Sequence, residues 1–159
     1  MDKIRKIMNN TTYINSMTYI KDAEVDRKFC LHGVEHSLDV ARICYILNLE
    51  EKLSYDKEII YAMALLHDIG RSAEYQNKVS HHQAGADIAK GILEDAGFGT
   101  SEVEKICDAI ASHKYVDNNK KDLKYLLYKA DKLSRNCFDC RMYAECYWDE
   151  NLKNKEITY

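Results

Sequence analysis

The sequence contains no proline and only 6 glycines in 159 residues. Backbone breakers are therefore rare, and long segments can keep one regular conformation. No apolar run approaches the ~18 residues of a membrane-spanning helix. The start, MDKIRKIMNN, carries charge but lacks the apolar stretch of roughly 7–15 residues that a secretory leader needs. A cytoplasmic protein without a membrane partner is the expectation. Excess charge of one sign is missing too. A formal net charge of −3 gives no general attraction for nucleic acid or anionic lipid, so stable nucleic-acid binding is not expected and a small ligand is. Linkers, internal repeats and low-complexity segments are absent as well. In a reducing compartment the 6 cysteines read as thiols rather than as a disulfide framework.

What is present is an all-helical pattern, with 46% hydrophobic and 31% charged residues in a length that suits one domain over 1–159. A helix from about Gly33 to Asn48 puts His36, Val40, Ile43 and Leu47 on one stripe, with His32 one turn earlier. A second helix, with Ser54 as N-cap, runs through IIYAMALLHD to a stop at Gly70 and is apolar nearly all round. A third begins near His81. A fourth opens on the capping box Ser101–Glu104 and carries Val103, Ile106, Ile110 and His113 on one face. A fifth, from about Leu123, aligns Leu127, Ala130 and Asp131.

Each helix thus places a polar residue on, or at the end of, the face it should bury. An isolated buried Asp or His costs several kcal/mol, on the order of 2–7 for each unpaired polar group, so one shared partner is the economical explanation. A metal site supplies it. Its ligands would be His36, His67, Asp68, one of His81 and His82, His113 and Asp131. His67 and Asp68 are ~100° apart on a helix, so both reach one centre only if the helix end points at it. The Gly70 stop agrees with that.

The stretch HGVEH, His32 to His36, also fits the H-x-x-E-H pattern of zinc peptidases, with His32 and His36 on the metal and Glu35 as base. Three fixed letters are a weak signal, and this reading leaves the other inward histidines and aspartates without a role. The ordered set His36, His67-Asp68 and Asp131, in the contexts HSLDVARIC, ALLHDIG and KADKLSR, instead resembles the HD superfamily of metal-dependent phosphohydrolases. The resemblance covers roughly residues 27 to 135. It implies an all-α helical bundle with the metal site between central helices, and leaves residues 136–159 as a helical cap rich in cysteine and aromatics.

The two further histidines resemble the dinuclear H…HD…H…H…D branch, similar to the small bacterial symmetrical dinucleoside tetraphosphatases. The H-x-x-x-G-A pattern of that branch selects His81, with His82 as the alternative. The implied cofactors are two divalent metal ions, Fe or Mn first, with Co, Ni, Zn or Mg as alternatives. Two such ions outweigh the charges of Asp68 and Asp131 and leave a field suited to phosphate. Asp68 would bridge them, with His67 beside it as a catalytic ligand. A water ionised by the metals would cleave a phosphate ester or anhydride of a small, nucleotide-like molecule. His32, Arg71, Lys114, Lys132 and Arg135 are the candidates for substrate contact. Two other readings stay open, a dinuclear iron oxygenase on the same ligands and a non-catalytic nucleotide or metal sensor.

The run NCFDCRMYAECYW holds Cys137, Cys140 and Cys146, one thiolate short of a structural zinc or iron–sulfur set. Cys30 or Cys107 would complete it if the fold brought either close. Otherwise these residues pack with Phe138, Tyr143 and Trp148 as a cap or a homodimer contact.

Overall fold

The computed structural model describes residues 1–112 and 120–159. They form eight α-helices, two short 3-10 turns and, among the described residues, no strand. The helices are α1 (Asp2–Met8), α2 (Thr11–Ala23), α3 (Val34–Glu50), α4 (Lys57–Leu66), α5 (Arg71–Asn77), α6 (His81–Ala96), α7 (Thr100–Ser112) and α8 (Leu123–Leu133). This is the all-α bundle that the sequence pattern implies.

The middle of the bundle is α4, where Ile60, Ala62, Met63, Ala64, Leu65 and Leu66 are all buried. It packs against α1, α3, α6, α7 and α8. Burial of each large apolar side chain contributes about 1.5–3 kcal/mol, which makes this run the anchor of the core. On α3 the buried residues Val40, Ile43, Cys44 and Leu47 recur every three or four positions and face α4 and α8. The three helices α3, α4 and α8 therefore meet, and the ends that carry His36, His67-Asp68 and Asp131 come together.

Three local features differ from the sequence expectation. Asp56, not Ser54, caps α4, its carboxylate accepting from Glu58 N at 2.7 Å. Ser54 sits in the preceding turn with φ 62. At α7 the side-chain cap comes from Glu102 rather than from the Ser101–Glu104 box: Gly99 N donates to the Glu102 carboxylate at 2.8 Å, and glycine has no side chain to return the bond. Residues 136–159 are not a helical cap. They hold only the turns Cys137–Asp139 and Tyr143–Glu145. Asp and Asn side chains there compete for backbone groups, as when Asp149 accepts from Asn151 N at 2.8 Å. This tail still closes on the bundle: Asn154 Nδ2 donates to the carbonyls of Lys132 and Arg135, each at 2.8 Å, and so caps the end of α8.

Candidate metal centre

His67 follows α4 directly, and burial of α4 forces its C-terminus into the middle of the bundle. The ring is fully buried, and its Nδ1–H donates to Ala64 O at 2.7 Å. That bond fixes the tautomer and leaves Nε2 facing Asp68 Oδ2 at 3.1 Å and Asp131 Oδ1 at 3.9 Å. His36 is held in the same way from α8. Its Nδ1–H donates to Ser134 Oγ at 3.3 Å, while the Ser134 hydroxyl donates to Asp131 O at 2.9 Å. His36 Nε2 then lies 3.3 Å from Asp131 Oδ1 and 3.7 Å from Asp68 Oδ2.

His81 repeats the arrangement a third time. Its Nδ1–H donates to Glu74 Oε1 at 2.9 Å, and its Nε2 lies 4.0 Å from Asp68 Oδ1. The register that puts it there comes from Gly70 and Gly85, whose backbones touch without an intervening side chain. Three imidazoles with anchored Nδ1 atoms thus turn their Nε2 atoms toward two buried carboxylates.

The donor set fits a divalent cation. Potential ligand atoms of His36, His67 and Asp68 all lie within 4.8 Å of one another. Ligands about 2.1 Å from one cation stand roughly 3.0–4.2 Å apart, the range of the separations above. Anchoring of the far nitrogen is how proteins orient imidazole ligands.

Electrostatics agree with this. Burial pushes His36 down to about 4, so it is neutral near pH 7 with a lone pair to offer. Burial opposes ionisation of both aspartates, but His67 and Arg71 at Asp68, and His36 and Arg135 at Asp131, hold them well below the usual carboxylate range. At His67 burial again disfavours charge, yet the carboxylates of Asp68 and Asp131 raise it above the ordinary imidazole value. The cluster therefore demands positive charge at its centre, and a metal would compete there with a proton.

A cleft of about 280 Å³ opens over the cluster, lined by Asp68, His81 and Asp131 below and by Arg27, Arg71, Lys132 and Arg135 around it. His32, Phe29, Tyr147 and Trp148 also line it, with Cys30 and Cys146 completing the wall. Arg71 Nε donates to Asp68 Oδ1 at 2.9 Å, and Arg135 Nη2 donates to Asp131 Oδ1 at 2.9 Å and His36 Nε2 at 3.2 Å. Lys132 Nζ is 3.2 Å from Asp131 Oδ2 and 5.1 Å from the centre of the Trp148 ring.

His32 is buried against Glu24 through its Nδ1, at 2.5 Å, rather than sharing a ligand role with His36. Glu35 is exposed. The peptidase geometry is therefore not formed. His82 is half-buried and does not line the cleft, whereas His81 does. His113 and Lys114 lie outside the described residues. Cys137, Cys140 and Cys146 share the wall of a neighbouring pocket, but no three cysteine sulfurs among the described residues gather as tightly as the His36 cluster.

Glu74, Ser134 and Glu24 are the functional residues that sequence reasoning missed. Ser134 follows Asp131 by three positions, and Glu74 precedes His81 by seven. A buried ring with one nitrogen on a metal needs an acceptor for the other, and that requirement is the signal that could have found them.

The HD domain pattern matches residues 33–136, and the chain belongs to the HD-domain family. It is 43% identical to an uncharacterized protein of Clostridium beijerinckii across the whole of both chains. It is 34% identical over 106 residues to ribonuclease Y of Oleidesulfovibrio alaskensis, of which it spans 18% of the length. Among solved structures it resembles a predicted HD superfamily hydrolase from an uncultured Thermotogales bacterium. That match has a TM-score of 0.63 and 27% identity, over 88% of this chain and 80% of the other. Fold, ligand set and relatives together support a metal-dependent phosphohydrolase in the general sense. No helix among the described residues is long and apolar enough to cross a membrane.

Proposed function

We propose that the protein is a dinuclear phosphohydrolase that cleaves a phosphate ester or anhydride bond in a small nucleotide-like molecule. The observation that carries this reading is the division of labour within Asp68. Its Oδ2 faces His36 Nε2 and His67 Nε2, at 3.7 and 3.1 Å, while its Oδ1 faces His81 Nε2 at 4.0 Å. A carboxylate placed so can serve two cations at once, one on the side of His36, His67 and Asp131, the other on the side of His81. That supports the resemblance to the symmetrical dinucleoside tetraphosphatases. Divalent cations held there would make a water acidic enough to ionise near neutral pH and would draw charge off phosphate oxygens.

The chain's own residues supply the rest. Arg71 and Arg135 are tethered to Asp68 and Asp131, so their guanidinium planes are held at the edge of the cluster, where a phosphate would lie. Lys132, half-exposed, can swing from Asp131 to an incoming anion. Burial of Asp68 and His67 keeps bulk water from screening these charges. Phe29, Tyr147 and Trp148 offer apolar faces to a base or sugar beside the cationic floor. The ribonuclease Y relatives act, by their name, on RNA, which is also a nucleotide phosphoester. A cleft of about 280 Å³ and the net charge of −3 favour a small nucleotide over a polymer here.

The test is product release from a panel of nucleoside phosphates, phosphodiesters and dinucleoside polyphosphates, with protein purified without oxygen and loaded with Fe, Mn, Co or Ni. Turnover that requires metal and vanishes in Asp68→Ala is the expected result. Metal-loaded protein that releases no product from any of them would overturn hydrolysis, and oxygen-dependent turnover would replace it with oxygenase chemistry.

A further inference from the structure

A group of cysteine side chains lies at the border of the cleft and the pocket next to it, with Cys30 and Cys146 on the walls of both, and hydrolysis does not use it. Cys137, Cys140 and Cys146 come from the C-terminal tail, and Cys30 comes from the loop before α3, more than a hundred residues away in sequence. All four line one pocket of about 260 Å³. Cys44 and Cys107, the remaining cysteines, lie elsewhere, on α3 and α7. We propose that Cys30, Cys137, Cys140 and Cys146 ligate a four-thiolate iron–sulfur cluster that fastens the C-terminal tail over the cleft.

The local backbone suits ligation. Cys137 and Cys140 flank a single 3-10 turn closed by Cys140 N donating to Cys137 O at 3.2 Å, the tight turn by which a C-x-x-C pair can serve one centre. Cys146 follows the next such turn. Sulfur spacing distinguishes the kinds of centre. Thiolates sharing one zinc stand about 3.8 Å apart, given bonds of about 2.3 Å and a tetrahedron. Among the described residues no three of these sulfurs lie within 4.8 Å of one another, although all face one cavity. A cubane cluster takes its thiolates at wider separation than a single zinc ion does, and Cys30, Cys137, Cys140 and Cys146 would hold it in the cavity they share.

Three further observations point to an occupant. The tail has almost no core of its own: between 136 and 159 only Cys137 is a buried hydrophobic, while Phe138, Tyr147, Leu152 and Ile157 are exposed. Segments with so little apolar burial are commonly held by metals or cross-links. A cluster with four thiolate ligands is anionic, and Lys28, Arg135, Arg141 and Lys153 line the same pocket. Arg135 Nε is buried with no hydrogen-bond partner among the described residues, and a cluster sulfur would supply the missing acceptor. Cys30 and Cys140 are exposed, so oxygen would reach the cluster.

The test uses the full chain, purified without oxygen and reconstituted with ferrous iron and sulfide. The expected result is about four acid-labile sulfide per chain, about four iron beyond what the His36–Asp68 centre takes up, and a broad absorption near 400 nm that bleaches in air. That signal should persist in Asp68→Ala and Cys107→Ser and disappear in Cys140→Ser and Cys146→Ser. If wild-type protein takes up no labile sulfide, the proposal fails whatever the variants do. It fails equally if the cysteine-dependent metal is one zinc without sulfide, or if thiol titration finds a Cys30–Cys146 disulfide.

Discussion

Gly70 and Gly85 meet backbone to backbone: a Cβ placed on Gly70 would stand 2.7 Å from Gly85 Cα and would also run into Gly85 N and His81 O. None of these atoms can swing aside as a side-chain tip could. The contact presses the turn after Asp68 onto the first turns of α6, and it sets how far His81 stands from Asp68. Gly70→Ala should therefore cost about 3 kcal/mol, at the upper end for overpacking. It should also weaken metal binding on the His81 side more than on the His67 side. Denaturant midpoints at unchanged slope, with metal content of the folded variant, check both. Wild-type stability would show that the backbone yields freely and that the close approach does not set the site.

In the proposed dinuclear centre Glu74 acts first through His81, since its Oε1 accepts from His81 Nδ1 at 2.9 Å, whereas its other oxygen is only 3.5 Å from Arg71 Nη1. Loss of such an acceptor typically costs about 10- to 100-fold in metal affinity or activity. Glu74→Gln should lower the affinity of the weaker of two metal equivalents by that factor and leave the tighter one, on His36 and His67, nearly unchanged. Glu74→Asp should recover part of the loss. Two equivalents that weaken together in a metal titration would place His81 in the same centre as His67.

The helices of the candidate site were legible because its residues interrupt strong patterns. His36 continues the Val40, Ile43, Leu47 stripe, and His67-Asp68 ends an apolar run that has nowhere to go but the core. Asp131 likewise shares a face with Leu127 and Ala130. The residues that anchor those side chains leave no such mark. Glu24 lies just past α2 in a polar segment, and only the fold brings it to His32, eight positions on, and to Tyr75. Ser134 looks like any helix-terminal serine. Helices α1, α2 and α5 are short or only weakly amphipathic, and their place is decided by the surfaces of α4, α5 and α6 that they cover. The tail misled because its aromatic and cysteine residues suggest a buried face, whereas its Asp and Asn side chains favour turns.

Acid should unfold the metal-free protein in two stages through the His32–Glu24 pair. Burial lowers His32 below 6.5 despite the Glu24 bond, so the unfolded chain takes up that proton first and stability falls as pH drops below about 6.5. Burial opposes charge on Glu24 as well, but hydrogen bonds from His32 and Tyr75 outweigh it and lower the carboxyl from 4.5 to about 2. The stability that Glu24 contributes is therefore full above 4.5 and is lost as pH falls toward 2. His67 runs the other way, since its raised value means that its contribution fades as pH rises. Glu24→Gln isolates the carboxyl: it should be less stable than wild type at pH 7, with the gap closing between 4.5 and 2. Chemical denaturation across pH, with a chelator present, measures this. A constant gap would mean that Glu24 is not held ionised by its partners.

Trp148 tests the kind of substrate the cleft receives. Its ring and those of Phe29 and Tyr147 line the cleft that also holds Lys132 and Arg135, with Lys132 Nζ 5.1 Å from the Trp148 ring centre. Stacking of a base on such a ring contributes about 1–3 kcal/mol, and most of that is already present in the bound ground state. Trp148→Ala should then raise KM for a nucleotide about tenfold, leave kcat within about twofold, and change KM for glycerol phosphate little. Both substrates offer the same phosphate to Arg71, Arg135 and Lys132, so the difference between them reports the base alone. If KM rises equally for both, Trp148 serves by steering the Lys132 ammonium, and the apolar wall is not a base site.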